Sequence, residues 1–249
     1  MVLNISMQFG YYTDNNIPRL KYKDEFVRYK TNSSGYRCPE WSPLPEGKKN
    51  VVILGCSHTY GVGLEEKQVW VDQLYNLVDR TRLRFWNLGS PGASGDHVVR
   101  VLYSTEKVLF PKIIIVCWPL WNRRERIEKN PINLTSNNEF LKLENDLTDK
   151  SNFFKNLFFV EKFAEKVGAK TFHCFADKDK DKINLTNINV YHKESLKSCW
   201  PEWSKIRTEK EKRVVTQTAS VAKDGFHYGI EHHTAFAQQL YNEFKLKLK

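Results

Sequence analysis

Ser57 stands where a buried strand is expected to end in a tight turn. The residues before it, VVILG (51–55), are apolar, mostly β-branched and close on a glycine, which is typical of a strand inside a sheet. A serine hydroxyl placed there can attack an acyl carbon if a nearby base removes its proton. The alternative is that Ser57 only caps the helix that follows. Partners for the hydroxyl elsewhere in the chain would favour the catalytic interpretation.

A carboxylate and an imidazole occur together before the last predicted helix. They are Asp224 and His227, in the sequence DGFH. A nucleophilic serine needs a base within hydrogen-bond reach and a carboxylate that orients the base. One short turn can present both side chains of DGFH to the same side. The sequence therefore offers Ser57, Asp224 and His227 as a candidate triad.

Acyl transfer also needs hydrogen-bond donors for the developing oxyanion. The backbone N–H of Ser57 is one candidate. The glycine-rich loop NLGSPGASG (87–95) can bring another backbone N–H close to a ligand. The segment WPLWNRR (118–124) contains Asn122, whose side-chain amide is a suitable donor.

The elements that must position these residues alternate between strand and helix. Strand patterns and helical patterns in turn are typical of a parallel sheet with helices on both faces. The carboxyl ends of such strands share one edge, so the loops after Leu54, Asn87 and Trp118 are expected to meet. The predicted strands are VVILG, RLRFWNLG, KIIIVCW, AKTFHCF and INVY (188–191). The predicted helices cover residues 65–79, 94–109, 153–167 and 231–246.

Two segments fall outside this alternation. Residues 1–49, rich in Pro, Gly, Asn and Tyr, are predicted to form an N-terminal arm that packs on the core. Residues 50–249 then form one domain. Within it, residues 119–150 carry charge and few apolar side chains, and are predicted to be an insertion near the rim of the site.

In this order, the motifs resemble those of the SGNH, or GDSL-like, hydrolase superfamily. GCSHTYGVG resembles the first block, with Ser57 at the nucleophile, and NLGSPGASG the second, with Gly92 at the oxyanion-hole glycine. KDGFHYG resembles the fifth block, with Asp224 and His227 at the triad acid and base. Two departures are Cys56, where the family usually has aspartate, and PLWN, where the third block usually reads glycine, any residue, asparagine, aspartate.

The resemblance implies a flavodoxin-like α/β/α sandwich around a parallel sheet of about five strands. It also implies a metal-free serine esterase without a cofactor that hydrolyses O-acyl, mainly O-acetyl, esters of a carbohydrate or small molecule. The oxyanion would be held by Ser57, Gly92 and Asn122. Two alternatives stay open: an O-acyltransferase using the same site, and an inactive member of the fold that binds a glycan or nucleic acid.

Composition limits which other classes of protein this chain can belong to. The chain of 249 residues has a net charge of +10 and pI near 9.3, but its basic residues are spread along it, so we expect a solvated surface and not a nucleic-acid site. The longest apolar run, 113–118, is too short for a membrane span. Without a recognisable leader, a cytoplasmic location is expected. The spacing of His and Cys residues predicts no zinc site.

Overall fold

The computed structural model of the chain describes residues 20–22, 25–27, 29–127, 131–134, 146–175, 222–223 and 227–244. In chain order the elements are β1 (Leu20–Tyr22), β2 (Glu25–Val27), β3 (Lys49–Gly55), α1 (Ser57–Tyr60), α2 (Trp70–Leu77), β4 (Leu83–Asn87), α3 (Gly95–Ser104), α4 (Glu106–Leu109), β5 (Ile113–Trp118), β6 (Arg124–Ile127), β7 (Pro131–Leu134), α5 (Asp146–Val167), β8 (Lys170–Phe175) and α6 (Ile230–Phe244).

The centre of the fold is a parallel sheet in the order β4-β3-β5-β8. Ile53 of β3 pairs with Asn87 of β4, and Gly55 pairs with Cys117 of β5, so the three strands end together. The predicted parallel sheet is therefore confirmed, with four strands in the described part of the chain. The predicted fifth strand, 188–191, lies outside the described residues.

Helices cover both faces of this sheet, which confirms the three-layer α/β/α arrangement. Alternate strand residues point to opposite faces, and each face packs against its own pair of helices. One layer is formed by α2 and α6, and the other by α3 and α5. Among the described helices, none is long and apolar enough to cross a membrane. The first layer buries Trp70, Leu74, Phe236 and Leu240, and the second buries Val98, Leu102, Val160 and Phe163.

The helix predicted over 65–79 is interrupted. A single 3-10 turn, Glu66–Gln68, is separated from α2 by Val69, which has an extended backbone. The first N–H of α2, at Trp70, has no partner within the helix and donates instead to Nδ1 of His233, at 3.0 Å. The prediction of one continuous helix is wrong because a side chain from α6 supplies this cap. A capping contact across 163 residues of chain leaves no local signal.

His233 should make the protein less stable in acid. Burial lowers the pKa of His233 to about 3, and the neighbouring charges of His232, His227 and Arg37 act in the same direction. The unfolded chain protonates His233 below about pH 6.5, whereas the folded chain does not until near pH 3, so the free energy of unfolding falls across this window. From pH 7 to pH 5, we expect wild type to lose about 2 kcal/mol more than His233→Gln. Urea unfolding at both pH values measures this difference.

Glutamine is the matched replacement because its amide oxygen can accept from Trp70 but does not titrate. The comparison uses the change with pH and not the absolute stability, so a general destabilisation of the variant does not affect it. An equal loss of stability in both proteins would show that His233 is protonated to the same extent when folded and unfolded.

The segment 119–150, predicted as an insertion, contains regular secondary structure. Strands β6 and β7 form an antiparallel ribbon within it. Helix α5 begins at Asp146, seven residues before the predicted start at Phe153. The early turns of α5 are polar, and an ion pair of 2.6 Å between Arg124 and Asp149 holds them to the ribbon. Hydrophobic periodicity begins only where α5 meets the sheet, so the sequence pattern missed this start.

Candidate active site

Ser57 is the first residue of α1 and follows β3 after a single residue. The position before the helix belongs to Cys56, and no side chain caps α1. The alternative that Ser57 serves as a helix cap is therefore wrong. Its side chain lies at the carboxyl end of the central strand and is 8% exposed. A hydroxyl in this place is sheltered but can still be reached from the rim.

The neighbouring Cys56 does not compete as a nucleophile. It is 2% exposed, and burial raises the pKa of its thiol above the usual value. The charge of Arg123 and hydrogen bonds from the His58 backbone and the Ser57 side chain act in the opposite direction but do not outweigh burial. Since the reactive form of cysteine is the thiolate, a buried neutral thiol is inert. Ser57 is then the nucleophile that this turn can offer.

The loop after β4 lies across the end of β3. Its residue Ser90 donates a backbone hydrogen bond to Gly55 O at 3.0 Å, and the Asn87 side chain donates to Thr59 O of α1 at 2.8 Å. Gly92 in this loop has a positive φ of 74°, and a Cβ built on it would meet no atom within 4 Å. A side chain at Gly92 would therefore meet open space, in a loop that Ser90 ties to the end of β3.

Asn122 lies in the loop after β5, at the same edge of the sheet. Its Oδ1 is buried and has no hydrogen-bond partner in the part of the chain that the structure describes. The next residue, Arg123, reaches the loop after β4, where its Nη1 lies 3.4 Å from Ala93 O. The ends of β3, β4 and β5 thus carry Ser57, Gly92 and Asn122 to one rim.

His227 comes to this rim from the far end of the chain. Its ring centroid lies 5.5 Å from that of His58, the residue directly after Ser57. The backbone supports this placement, because Lys223 N donates to Gly63 O at 3.0 Å and Ala222 N donates to His227 O at 2.9 Å. Asp224 lies outside the described residues, so the acid of the candidate triad stays a prediction.

A buried arginine from the arm holds the turn that follows the nucleophile. Arg37 is 2% exposed, and its guanidinium donates to the carbonyls of Tyr60, Gly61 and Leu64 at 2.8–3.1 Å. These carbonyls close α1 and begin the loop against which Lys223 docks. Arg37 therefore holds the turn after Ser57, and the segment that leads to His227 docks on the same turn.

Sequence reasoning singled out neither Arg37 nor Arg123. Nothing in the residue type separates a buried or rim-facing arginine from a solvated one in a chain with so many basic residues. The described residues also contain no group of three His, Cys, Asp or Glu side chains placed to hold a metal ion. The candidate site contains a sheltered hydroxyl, an imidazole whose ring lies 5.5 Å from that of His58, a glycine loop, an amide and a guanidinium.

No protein-family model matches the chain, and no curated protein matches it.

The solved structures to which the chain is similar include lipolytic proteins and esterases. TesA is 16% identical with a TM-score of 0.49, over 81% of this chain and 100% of that one. A lipolytic protein of the G-D-S-L family from Veillonella parvula is 13% identical with a TM-score of 0.47, over 79% and 98%. A family 3 carbohydrate esterase from Clostridium thermocellum is 13% identical with a TM-score of 0.45, over 81% and 97%. At these sequence identities and TM-scores, the similarity does not show which reaction this chain catalyses.

Proposed function

We propose that the protein is a serine ester hydrolase of the SGNH type, with Ser57 as nucleophile and His227 as base. The observation that carries the proposal is the meeting of two distant segments at the end of β3. The ring of His227 lies 5.5 Å from the ring of the residue that follows the sheltered Ser57. Serine and histidine at the carboxyl edge of a parallel sheet, with an open glycine backbone beside them, match the needs of acyl transfer.

The reaction proceeds in two halves. The Oγ of Ser57 attacks the carbonyl carbon of the ester while His227 accepts the hydroxyl proton. The backbone N–H groups of Ser57 and Gly92 and the Asn122 amide donate to the oxyanion. Collapse of the tetrahedral species breaks the bond to the alcohol oxygen, which takes the proton from His227 and leaves an acyl-enzyme. Water, deprotonated by His227, then attacks the acyl carbon, and Ser57 regains its proton as the acid departs.

Asp224 is the proposed partner that orients the imidazole of His227. Its place in the sequence, three residues before His227, supports the assignment. The substrate is an O-acyl ester, with acetyl as the acyl group that we propose and a carbohydrate or other small molecule as the alcohol. Transfer of the acyl group to an acceptor hydroxyl instead of water would use the same residues.

A fluorophosphonate probe tests this proposal directly. Such probes phosphonylate a serine whose hydroxyl is activated by a base, and unactivated serines react poorly. We expect the folded wild type to be labelled at Ser57, with at least about tenfold less labelling in Ser57→Ala. The matched control is Ser104→Ala, which removes a serine of α3 whose hydroxyl donates to Val101 O within its own helix.

Equal labelling of wild type and Ser57→Ala would place the reactive group elsewhere and overturn the assignment. A folded wild type that resists labelling would favour the interpretation of the fold as a binding module. Product analysis with and without an acceptor alcohol then separates hydrolysis from acyl transfer.

A further inference from the structure

Arg123 is an arginine of this rim whose charge no carboxylate among the described residues balances. The neighbouring Arg124 pairs with Asp149 at 2.6 Å, and Arg100 pairs with Glu125 at 2.6 Å. Arg123 has no ion pair among the described residues, and its guanidinium donates to a neutral carbonyl, Ala93 O, at 3.4 Å. Within the described part of the chain, its positive charge is therefore left for a bound anion.

The order of the strands places this charge over the nucleophile. Arg123 follows β5, whereas Ala93 lies in the loop after β4, and β3 runs between those two strands. A side chain that joins the two loops is therefore placed near the carboxyl end of β3, which Ser57 follows. The hydrogen bond between Ser90 N and Gly55 O, at 3.0 Å, keeps the second loop on this strand end. The guanidinium thus lies at the mouth of the proposed site.

Two further observations agree with this placement. The charge of Arg123 acts on the buried thiol of Cys56, which adjoins Ser57, and favours its ionised form. In the same loop, the ring of Trp121 has the Lys150 ammonium 5.7 Å from its centroid, so this loop carries a second cation. A guanidinium with free N–H groups in a partly sheltered place is suited to bidentate binding of a carboxylate or phosphate.

We propose that Arg123 is a specificity residue that binds a negatively charged group of the substrate, so that the site prefers anionic esters over neutral ones. The inference rests on the proposed ester hydrolase and narrows its substrate class. The anion sits on the acyl part or on the alcohol part of the ester, since Arg123 and Ser57 share one rim.

The test uses two pairs of esters that differ by one charge. With the charge on the alcohol, the pair is 4-acetoxybenzoate and its methyl ester. With the charge on the acyl group, it is 4-nitrophenyl hydrogen succinate and its methyl ester. We expect Arg123→Gln to lower kcat/KM for the anionic member of at least one pair about 10- to 100-fold more than for the neutral member. Arg123→Lys should retain part of the preference for the anionic ester, since lysine keeps the positive charge but lacks the paired N–H donors of the planar guanidinium.

The matched control is Arg80→Gln, which removes the same charge at the opposite edge of the sheet, where Arg80 O accepts from Lys48 Nζ. This variant should keep the wild-type preference in both pairs. If Arg123→Gln lowers turnover of neutral and anionic esters by the same factor, Arg123 acts in the reaction or the fold and the inference is overturned. A wild type with the same charge preference as Arg123→Gln in both pairs overturns it as well.

Binding to a protein that cannot turn the ester over separates this inference from the proposed function. In Ser57→Ala, 4-acetoxybenzoate or the succinate monoester should bind at least about tenfold more tightly than its methyl ester, and adding Arg123→Gln should remove the difference. Such binding without hydrolysis by wild type would leave the inference standing while the esterase assignment falls. Equal binding of the charged and the neutral ester of each pair to Ser57→Ala would overturn the inference.

Discussion

Replacing Ser57 or His227 with alanine should each lower kcat for a short acyl ester by at least about 10³-fold, and the double replacement should lower it no further. Residues that act as one catalytic unit lose nearly all of their contribution when one of them is removed. The remaining rate over water would come from Gly92, Asn122 and binding. Steady-state hydrolysis of 4-nitrophenyl acetate by the three variants measures this double-mutant cycle.

The double-mutant cycle tests the proposed pair more specifically than either single replacement does, because any disturbance of the rim could lower activity. If the effects of the two replacements multiply, Ser57 and His227 act independently and the proposed proton transfer between them is wrong. Ser104→Ala should hydrolyse the ester at the wild-type rate, since the Ser104 hydroxyl donates to Val101 O within α3.

Gly89→Ala should lower both stability and turnover, because Gly89 has no room for a side chain. A Cβ on Gly89 would lie 2.6 Å from the backbone N of Tyr60 and 2.8 Å from the carbonyl carbon of Thr59. Both atoms belong to α1, so the added methyl group must displace the helix that begins with Ser57. We expect a loss of about 2 kcal/mol in the free energy of unfolding. Displacement of a nucleophile by even 1 Å can cost about 100-fold in kcat.

Urea unfolding and steady-state kinetics measure the two effects, and Gly47→Ala is the matched control. Gly47 lies in the arm with a φ of +75°, and a Cβ there would meet no atom within 4 Å. Its replacement should cost about 1 kcal/mol of stability through backbone strain and leave kcat unchanged. Wild-type kcat in a folded Gly89→Ala would show that the loop after β4 does not set the position of Ser57.

The sequence alone determined the parallel sheet and which strand ends face the site. The run at 113–118 and the pattern at 51–55 identify buried strands because their residues are apolar on both faces. The edge at which Ser57, Gly92 and Asn122 lie follows from the rule that parallel strands end together. His227 was predicted to join them from the motif DGFH, and the structure describes its ring beside His58.

Only the tertiary structure decided what surrounds Ser57. Three contacts join segments that are far apart in the chain. They are the hydrogen bonds of Arg37 to the turn after α1, the cap that His233 supplies to Trp70, and the contact of Arg123 with Ala93 O. Hydrophobic periodicity reports whether a side chain faces the core, so it locates strands and helices. It carries no information on which polar groups meet. An arginine is the same polar residue in a sequence pattern whether its N–H groups donate to a carboxylate, a carbonyl or a substrate.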